Sequence, residues 1–576
     1  MLDLSRINCL GAALRDATTT YKSRVALIEA DRHREAARYS FAEVRARAEG
    51  IAAQLQAEGL QPGDRCAILM QNQSKWLISA TAALWAGAVL VPLDYKLTAG
   101  EQLALLAHAR PRVLITEHAT WERLLTESPG APQALAELVV IVTEPPPDRA
   151  LGRARAWQPK DAPFTYHERQ RDDVACIVYS SGTSGTPKGC MLTHHNYLEQ
   201  AQVLGRLYPM DEGDKFFSIL PTNHAIDFMV GYLLPHMMGG AIVHQRTLRP
   251  AFIAATMQRY GITHIALVPT ILKNLERKVK DRLDELPKWQ RLLIDGLIDL
   301  NDAATRRAPN HAISRNLLRP LHDTFGGKLR LIFAGGAFVE RGTAEFFNRI
   351  GIPVVIGYGL TEAGTVLTVN DLKPFRGDSV GKPVPGAEIE VRGANERGVG
   401  EIWARGPTVM KGYLDAPELT AEAIQGGWLR TGDLGFIDAA GHLHLVGRAK
   451  NMIVTEGGKN VYPEDIEALI GELDGCEEFA VYAANYIWPT GKLTDERLVA
   501  VLRPKRGDDP DQRAAPDRLL AALRRQNRGL ADYKRLAGVI LWEHEFPRTA
   551  SQKLRRDQLA HQLRERLARA EAIQDL

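Results

Sequence analysis

The sequence is poor in the marks of several protein classes. Its 576 residues hold five cysteines, Cys9, Cys66, Cys176, Cys190 and Cys476, odd in number and without a CxxC pair. This argues against a disulfide framework and for a reducing compartment, the cytoplasm. Neither sign of charge dominates: 72 Lys and Arg stand against 69 Asp and Glu, a net +3. Affinity built on massed phosphate contacts is thereby disfavoured, and with it nucleic acid as the main partner. No secretory leader is expected, because Asp3 and Arg6 precede any apolar run. The uncharged stretch Trp76 to Leu93 (WLISATAALWAGAVLVPL) is split by Gly87 and Pro92. It reads as a buried helix followed by a buried strand, so no transmembrane segment is expected. There is no internal repeat.

What is present suits a packed, soluble body: 45% hydrophobic and 24% charged residues are globular averages. The length allows about four folding units, or one large composite domain with a smaller one. In the first part YSFAEVRARAEGIAAQLQAEGL and SKWLISATAALWAG have helical spacing, whereas DRCAILM, AVLVPLD and RPRVLITE read as strands. Such alternation predicts parallel βαβ units. A Pro-rich connection, Glu144 to Pro163, interrupts the rhythm, which resumes with DDVACIVYSSG, GAIVHQ, HIALVP and LRLIFAGGA. A long helical region of mixed charge lies between Pro269 and Leu329, either a solvated cap or a lid beside a lipid-like substrate. From Val380 to Leu445 short strands with glycine turns predict a small β-rich subdomain, and beyond Arg448 another compact unit begins. In the tail, Leu559, Leu563, Leu567 and Ala570 share one face of a packed terminal helix.

The strongest local signal is Tyr179 to Gly189, YSSGTSGTPKG, directly after an apolar strand. Glycines free the backbone to wrap an anion; Ser180, Ser181, Thr183, Ser184 and Thr186 add hydroxyls, and Lys188 a positive charge. It is a phosphate cradle in composition but not a Walker loop, because Pro187 precedes Lys188 and Gly189 follows it. Further along come GGA (Gly335 to Ala337), GYGLTE (Gly357 to Glu362), TGD (Thr431 to Asp433), GRAK (Gly447 to Lys450), GGKNVY (Gly457 to Tyr462) and PRTASQK (Pro547 to Lys553).

In this order the segments resemble the motifs of the adenylate-forming superfamily, which includes acyl-CoA synthetases, aryl-CoA ligases, luciferases and peptide-synthetase adenylation domains. The resemblance implies an α/β fold: a large N-terminal domain of α/β subdomains plus a small β-subdomain (1–447), a hinge (448–450, with Lys450), and a small mobile α+β C-terminal domain (451–576). It implies that Ser181, Gly182, Thr183, Ser184, Gly185, Thr186 and Lys188 hold the phosphates of ATP. Gly335, Gly336 and Ala337 would line the adenine pocket, with Tyr358 stacked on the base beside Gly359. Thr361 would donate to a phosphate, Glu362 would bind Mg2+, and Asp433 and Arg448 would take the ribose. Lys553 would be the catalytic ammonium of the adenylation step, and Gly457, Gly458 and Lys459 would line the channel for the thiol. Gln552 departs from the glycine found in many relatives and leaves the lysine in place.

The segment Leu220 to Gly231, LPTNHAIDFMVG, resembles the family's substrate-pocket region, with His224 either a pocket and catalytic residue or a satisfied core histidine. It lacks the early aspartate that pairs with an amino group, and Asp227 lies later, which disfavours an amino-acid substrate. The implied activity is ATP-dependent activation of a carboxylic acid, of the medium- or long-chain fatty class, to acyl-AMP with pyrophosphate release, followed by thioester formation with coenzyme A. The alternatives are transfer to the pantetheine of an acyl carrier protein and, in a different class, a non-catalytic ligand-binding homologue. That last reading would be marked by loss of Lys553, Glu362 or Asp433, all of which are present.

Overall fold

The structure is a computed structural model that describes residues 3–127, 135, 137–147, 151–180, 188–451, 453–454, 460–488, 497–505, 515–549, 553–568 and 572–576. The chain divides into two compact units, Met1–Ile389 with Ala404–Leu429, and Glu390–Trp403 with Arg430–Leu576. The first unit opens with strands β1 (Val25–Asp31) and β2 (Arg34–Ser40) and helix α1 (Phe41–Ala57). Helix α1 starts where Ser40 and Glu43 form a reciprocal cap, each side chain accepting from the other's backbone N–H. Then come β3 (Arg65–Leu69), α2 (Ser74–Trp85), β4 (Val89–Pro92), β5 (Val113–Glu117), β6 (Val139–Thr143), β7 (Arg155–Ala156), β8 (Val174–Ser180) and β9 (Lys188–Thr193). After these follow β10 (Lys215–Ser218), β11 (Ala241–Gln245), β12 (His264–Leu267), β13 (Leu331–Gly335), β14 (Val354–Tyr358), β15 (Thr368–Val369) and β16 (Lys382–Pro383).

These strands form two sheets. One has the order β16-β15-β14-β13-β12-β10-β11-β1-β2; the other runs from the short strand Gly412–Tyr413 through β9-β8-β4-β3-β5-β6-β7. The run from β14 to β1 in the first sheet and from β8 to β7 in the second is parallel. Parallel strands are covered on both faces and are therefore apolar throughout; every residue of β11 and β12 is buried. The uncharged stretch from Trp76 forms most of α2 and β4 and is buried along its length, as its composition predicts. Among the described residues no helix is long and apolar enough to cross a membrane.

A charge network around one buried carboxylate joins the two sheets. Glu29 of β1 is 7% exposed and accepts from Arg246 Nε at 2.6 Å and from the Ser74 backbone at 3.1 Å. The same guanidinium reaches Glu144, just past β6, at 2.5 Å, and Lys75 of α2 adds a contact at 3.1 Å. Hydrogen-bonded to Arg246 and faced by Lys75, the Glu144 carboxyl is held down at about 2.

The helical region of mixed charge contains α3 (Pro269–Asp284) and α4 (Lys288–Thr305). In the second unit β17 (Trp428–Ile437) and β18 (Leu443–Arg448) form an antiparallel hairpin. After it come α5 (Pro463–Ile470), β19 (Cys476–Ala483), β20 (Leu498–Pro504), α6 (Ala515–Arg528), β21 (Gly538–Leu541), α7 (Arg556–Arg566) and β22 (Gln574–Asp575), with a four-stranded sheet in the order β19-β20-β21-β22. The mixed α/β architecture, large first and small last, is the one expected. The terminal helix is shorter than its sequence suggests: Leu559 and Leu563 are buried on it, but Leu567 caps it in extended conformation. Ala570 lies outside the described residues. Past the helix, β22 pairs with β21, Gly538 opposite Asp575, so the backbone groups of the tail are satisfied in the sheet.

Arg246→Met should cost on the order of 3 kcal/mol at pH 7 by leaving Glu29 without its counter-charge. Because the folded value of Glu144 lies below the ordinary 4.5, its stabilisation is present above pH 4.5 and lost as pH falls toward about 2. The gap between the urea midpoints of parent and variant should therefore narrow over that interval by the part that Glu144 contributes; a gap unchanged at pH 3 counts against the network.

Candidate active site

GGA and GYGLTE begin at the carboxyl ends of the parallel strands β13 and β14, where open α/β sheets bind ligands. The register of β13 against β14 sets Gly335 beside Gly357, so GGA and GYGLTE begin as neighbours. A Cβ on Gly335 would stand 3.0 Å from the Gly357 carbonyl oxygen, and one on Gly359 only 2.0 Å from that of Thr365. The backbones thus pass at a separation that a side chain would fill. Tyr358, buried, ends β14, and Thr361 and Glu362 follow in a 3-10 turn.

The Glu362 side chain is tied to the far edge of the second sheet. Tyr413 donates its hydroxyl to Glu362 Oε1 at 3.1 Å, and the Met410 N–H donates to the Glu362 carbonyl at 2.8 Å. The Lys188 ammonium lies 5.7 Å from the centre of the Tyr413 ring. Lys188 pairs with Ser180 across β8 and β9, so one end of the phosphate-cradle motif, Tyr413 and Glu362 form one cluster. Desolvation, with Glu362 alongside, pushes the Tyr413 hydroxyl well above its ordinary value, so it remains a donor. Tyr413 carries no motif of its own in the sequence; only the pairing of Gly412–Tyr413 with Met191 and Cys190 brings it here. Ser181, Gly182, Thr183, Ser184, Gly185 and Thr186 lie outside the described residues. Gly336 and Ala337 follow Gly335 past the end of β13, Gly336 with φ +82°.

The substrate-pocket segment approaches the same edge. Thr365 Oγ1 donates to the Ala225 carbonyl at 3.2 Å, and the Ile226 side chain lies 3.5 Å from a Cβ built on Gly335. His224 Nε2 faces Asp94 Oδ2 at 3.8 Å, with a third of its side chain exposed. After it the chain forms a π-helix, Asp227–Leu233, a conformation that recurs at functional sites. Asp227 is fully buried inside this turn. Its Oδ2 accepts from Ser218 at 2.8 Å and Thr222 at 2.9 Å, whereas Oδ1 has no hydrogen-bond partner among the described residues. Burial overrides the two hydroxyls and pushes its carboxyl up to about 7. Gly231 leaves it room, since a Cβ there would fall 2.3 Å from Oδ1. Neither the π-helix nor this buried acid is signalled by helical periodicity.

In the second unit, Asp433 and Arg448 stand opposite each other on β17 and β18 and pair at 2.6 Å. Lys450 lies in the 3-10 turn Ala449–Asn451, and Gly457, Gly458 and Lys459 are outside the described residues. Lys553 is exposed; its N–H donates to Thr549 Oγ1 at 3.0 Å and its carbonyl accepts from the Thr549 N–H at 2.8 Å. Arg548 is ion-paired with Glu478 of β19 at 2.9 Å.

A family model described as AMP-binding enzyme matches residues 14–414. The long-chain-fatty-acid–CoA ligase FadD15 of Mycobacterium bovis is 29% identical over 425 residues, 71% of this chain and 69% of that protein. The feruloyl-CoA synthase of an Amycolatopsis species is 29% identical over 527 residues, 89% of this chain and 92% of its own. Among solved structures, ATP-bound MatB from Rhodopseudomonas palustris superposes with a TM-score of 0.73 at 27% identity, covering 97% of this chain and 99% of that one.

The Asp227 carboxyl titrates higher in the folded protein than its ordinary 3.8, so its contribution to stability is whole below that value and lost as pH rises through about 7. Asp227→Asn, which cannot ionise, should remove this decline and be the more stable protein at pH 8 by a few kcal/mol, each tenfold change in proton affinity being worth about 1.4 kcal/mol. Near pH 4 the two should unfold alike in urea; equal pH profiles would refute the assignment.

Proposed function

We propose, on the premise that this chain belongs to the AMP-binding enzyme family and is an AMP-forming acid–thiol ligase, that it activates a medium- or long-chain fatty acid and passes the acyl group to coenzyme A. The observation that carries the choice of an apolar acid is the state of Asp227. Its carboxyl is enclosed by Ser218, Thr222 and Gly231, so it is not offered to a substrate ammonium. The buried side chains that follow it, Phe228, Met229, Val230, Tyr232 and Leu233, are apolar or aromatic. The similarity to a long-chain fatty-acid ligase supports the same reading. Feruloyl-CoA synthase, equally identical and matched over more of the chain, supports an aryl acid as second reading. An acyl carrier protein is the alternative acceptor.

In the proposed mechanism a carboxylate oxygen attacks the α-phosphorus of ATP, the bond to the bridging oxygen breaks, and pyrophosphate leaves. Lys188 and the hydroxyls of Ser181, Thr183, Ser184 and Thr186 hold the phosphates, with Gly182 and Gly185 shaping the turn around them. Thr361 donates to a phosphate. Gly335, Gly336, Ala337, Tyr358 and Gly359 receive the adenine. Asp433 accepts from the ribose hydroxyls and Arg448 orients it through their 2.6 Å pair. Glu362 would hold Mg2+: Tyr413 binds only Oε1, and a single carboxylate beside phosphates suits this ion, which keeps much of its water and would neutralise triphosphate charge. Lys553, when brought to the reacting groups, offsets the repulsion between two anions and the charge that develops in flight. His224 lies at the acyl end. In the second step the thiol sulfur attacks the acyl carbon, AMP departs, and the thiol proton passes to solvent. The proposed domains are 1–447 and 451–576, turning about 448–450 at Lys450 so that Gly457, Gly458 and Lys459 replace Lys553 for thiol transfer. The reduced thiols of all five cysteines support a cytoplasmic location.

A panel of carboxylic acids scored by pyrophosphate release, with and without coenzyme A or a carrier protein, tests the substrate. Fatty acids should lead; preference for cinnamic-type acids would favour the second reading. Lys553→Ala should slow adenylation by about 100- to 1,000-fold and spare thioester formation from supplied acyl-adenylate. Equal loss in both half-reactions would overturn its role.

A further inference from the structure

Helix α4 is amphipathic in an unusual sense: apolar residues occur on two faces. The inner face, with Ile294, Leu297 and Ile298, packs on the core, and Asn301 donates to the Arg349 carbonyl at 2.8 Å. The outer face carries Trp289, Leu292, Leu293 and Leu300, exposed by 65, 72, 58 and 56%, with exposed Gly296, Ala303 and Ala304 completing a stripe spaced three and four apart. Isolated exposed leucines need no explanation, but a continuous stripe on a helix anchored by its other side does.

The charge of the helical region indicates what would cover it. Residues 269–330 hold thirteen Lys and Arg against eight Asp and Glu, a larger positive excess than the whole chain's +3, although α4 itself has Lys288 and Arg291 against Asp295, Asp299 and Asp302. Lys288 and Arg307 flank the stripe's two ends. The carboxylates on the helix are locally compensated: Asp295 by Arg291 at 3.8 Å, Asp299 by Arg349 at 2.5 Å and Asp302 by Arg306 at 3.2 Å; Arg291 also pairs with Asp284. A second protein fits the dimensions poorly. Eighteen residues make a helix about 27 Å long, and at a diameter of about 10 Å the stripe offers on the order of 300 Å². Each partner of a stable protein pair buries about 800 Å². A tryptophan at one end, leucines along one side and cations at the ends are what a helix lying in a lipid interface requires.

We propose that the outer face of α4 docks on an anionic lipid bilayer, with Trp289, Leu292, Leu293 and Leu300 entering the boundary between headgroups and acyl chains. Attachment is peripheral and does not depend on which acid the enzyme activates.

The test is co-sedimentation of the full chain with vesicles of phosphatidylcholine alone or with about one third phosphatidylglycerol. The protein should pellet with the anionic vesicles and be released severalfold as salt is raised. Leu292→Asp with Leu293→Asp should lower the bound fraction by about tenfold. Lys288→Glu with Arg307→Glu should weaken binding to anionic vesicles only. Pyrophosphate release from a water-soluble acid should be unchanged in both variants, which reports that they fold. Parent protein left in the supernatant, or variants that pellet like it, would overturn the proposal. So would a dimer in sedimentation velocity that the leucine double variant dissociates, because the stripe would then belong to a second copy.

Discussion

The position of the first unit's site residues depends on one backbone contact, the alignment of β13 with β14 that places Gly335 beside Gly357. Side chains reach a ligand only as closely as the backbone beneath them allows; at Gly359 there is no space for a Cβ, and at Gly335 one would fit only tightly. From this seam the turn with Thr361 and Glu362 projects, Thr365 reaches back to Ala225, and the pocket segment is drawn to the same edge. A slip of one residue would turn the side chains of β14 to the opposite face of the sheet and displace the turn that follows it.

The protein buries carboxyl groups in two different ways. The oxygens of Glu29 are taken by the Arg246 guanidinium and a backbone N–H. Asp227 has hydroxyl donors on one oxygen and no cation, so burial dominates and it holds its proton toward neutrality. The first arrangement links the two sheets. The second lies inside a π-turn and uses one carboxyl oxygen internally, on Ser218 and Thr222.

The two faces of α4 explain why its residues read ambiguously. A stripe of leucines at helical spacing marks a core face in most proteins, and the sequence of this region admits both a solvated cap and a lid. The inner stripe does enter the core. The outer one remains open, and distinguishing them requires knowing which side the neighbouring helices and strands occupy. Similarly, Tyr413 is separated by about fifty positions from Glu362, and no periodicity links them; strand pairing does. The terminal helix ends before its leucine pattern does because the chain beyond it finds partners at a sheet edge, a competition that local spacing does not register.

The sequence by itself determined the parallel α/β plan, because buried parallel strands must be apolar on both faces, and the order of the nucleotide motifs, because close backbone approach demands glycine and anion binding demands hydroxyls and a cation at short spacing. It also excluded a disulfide framework. Only the tertiary structure decided that Asp227 is enclosed, that Glu362 is held by Tyr413, and that one apolar stripe of α4 faces outward. Each of these is a relation between residues distant in the chain, and its energy, whether desolvation, a hydrogen bond or uncovered apolar area, exists only once the fold has chosen their neighbours.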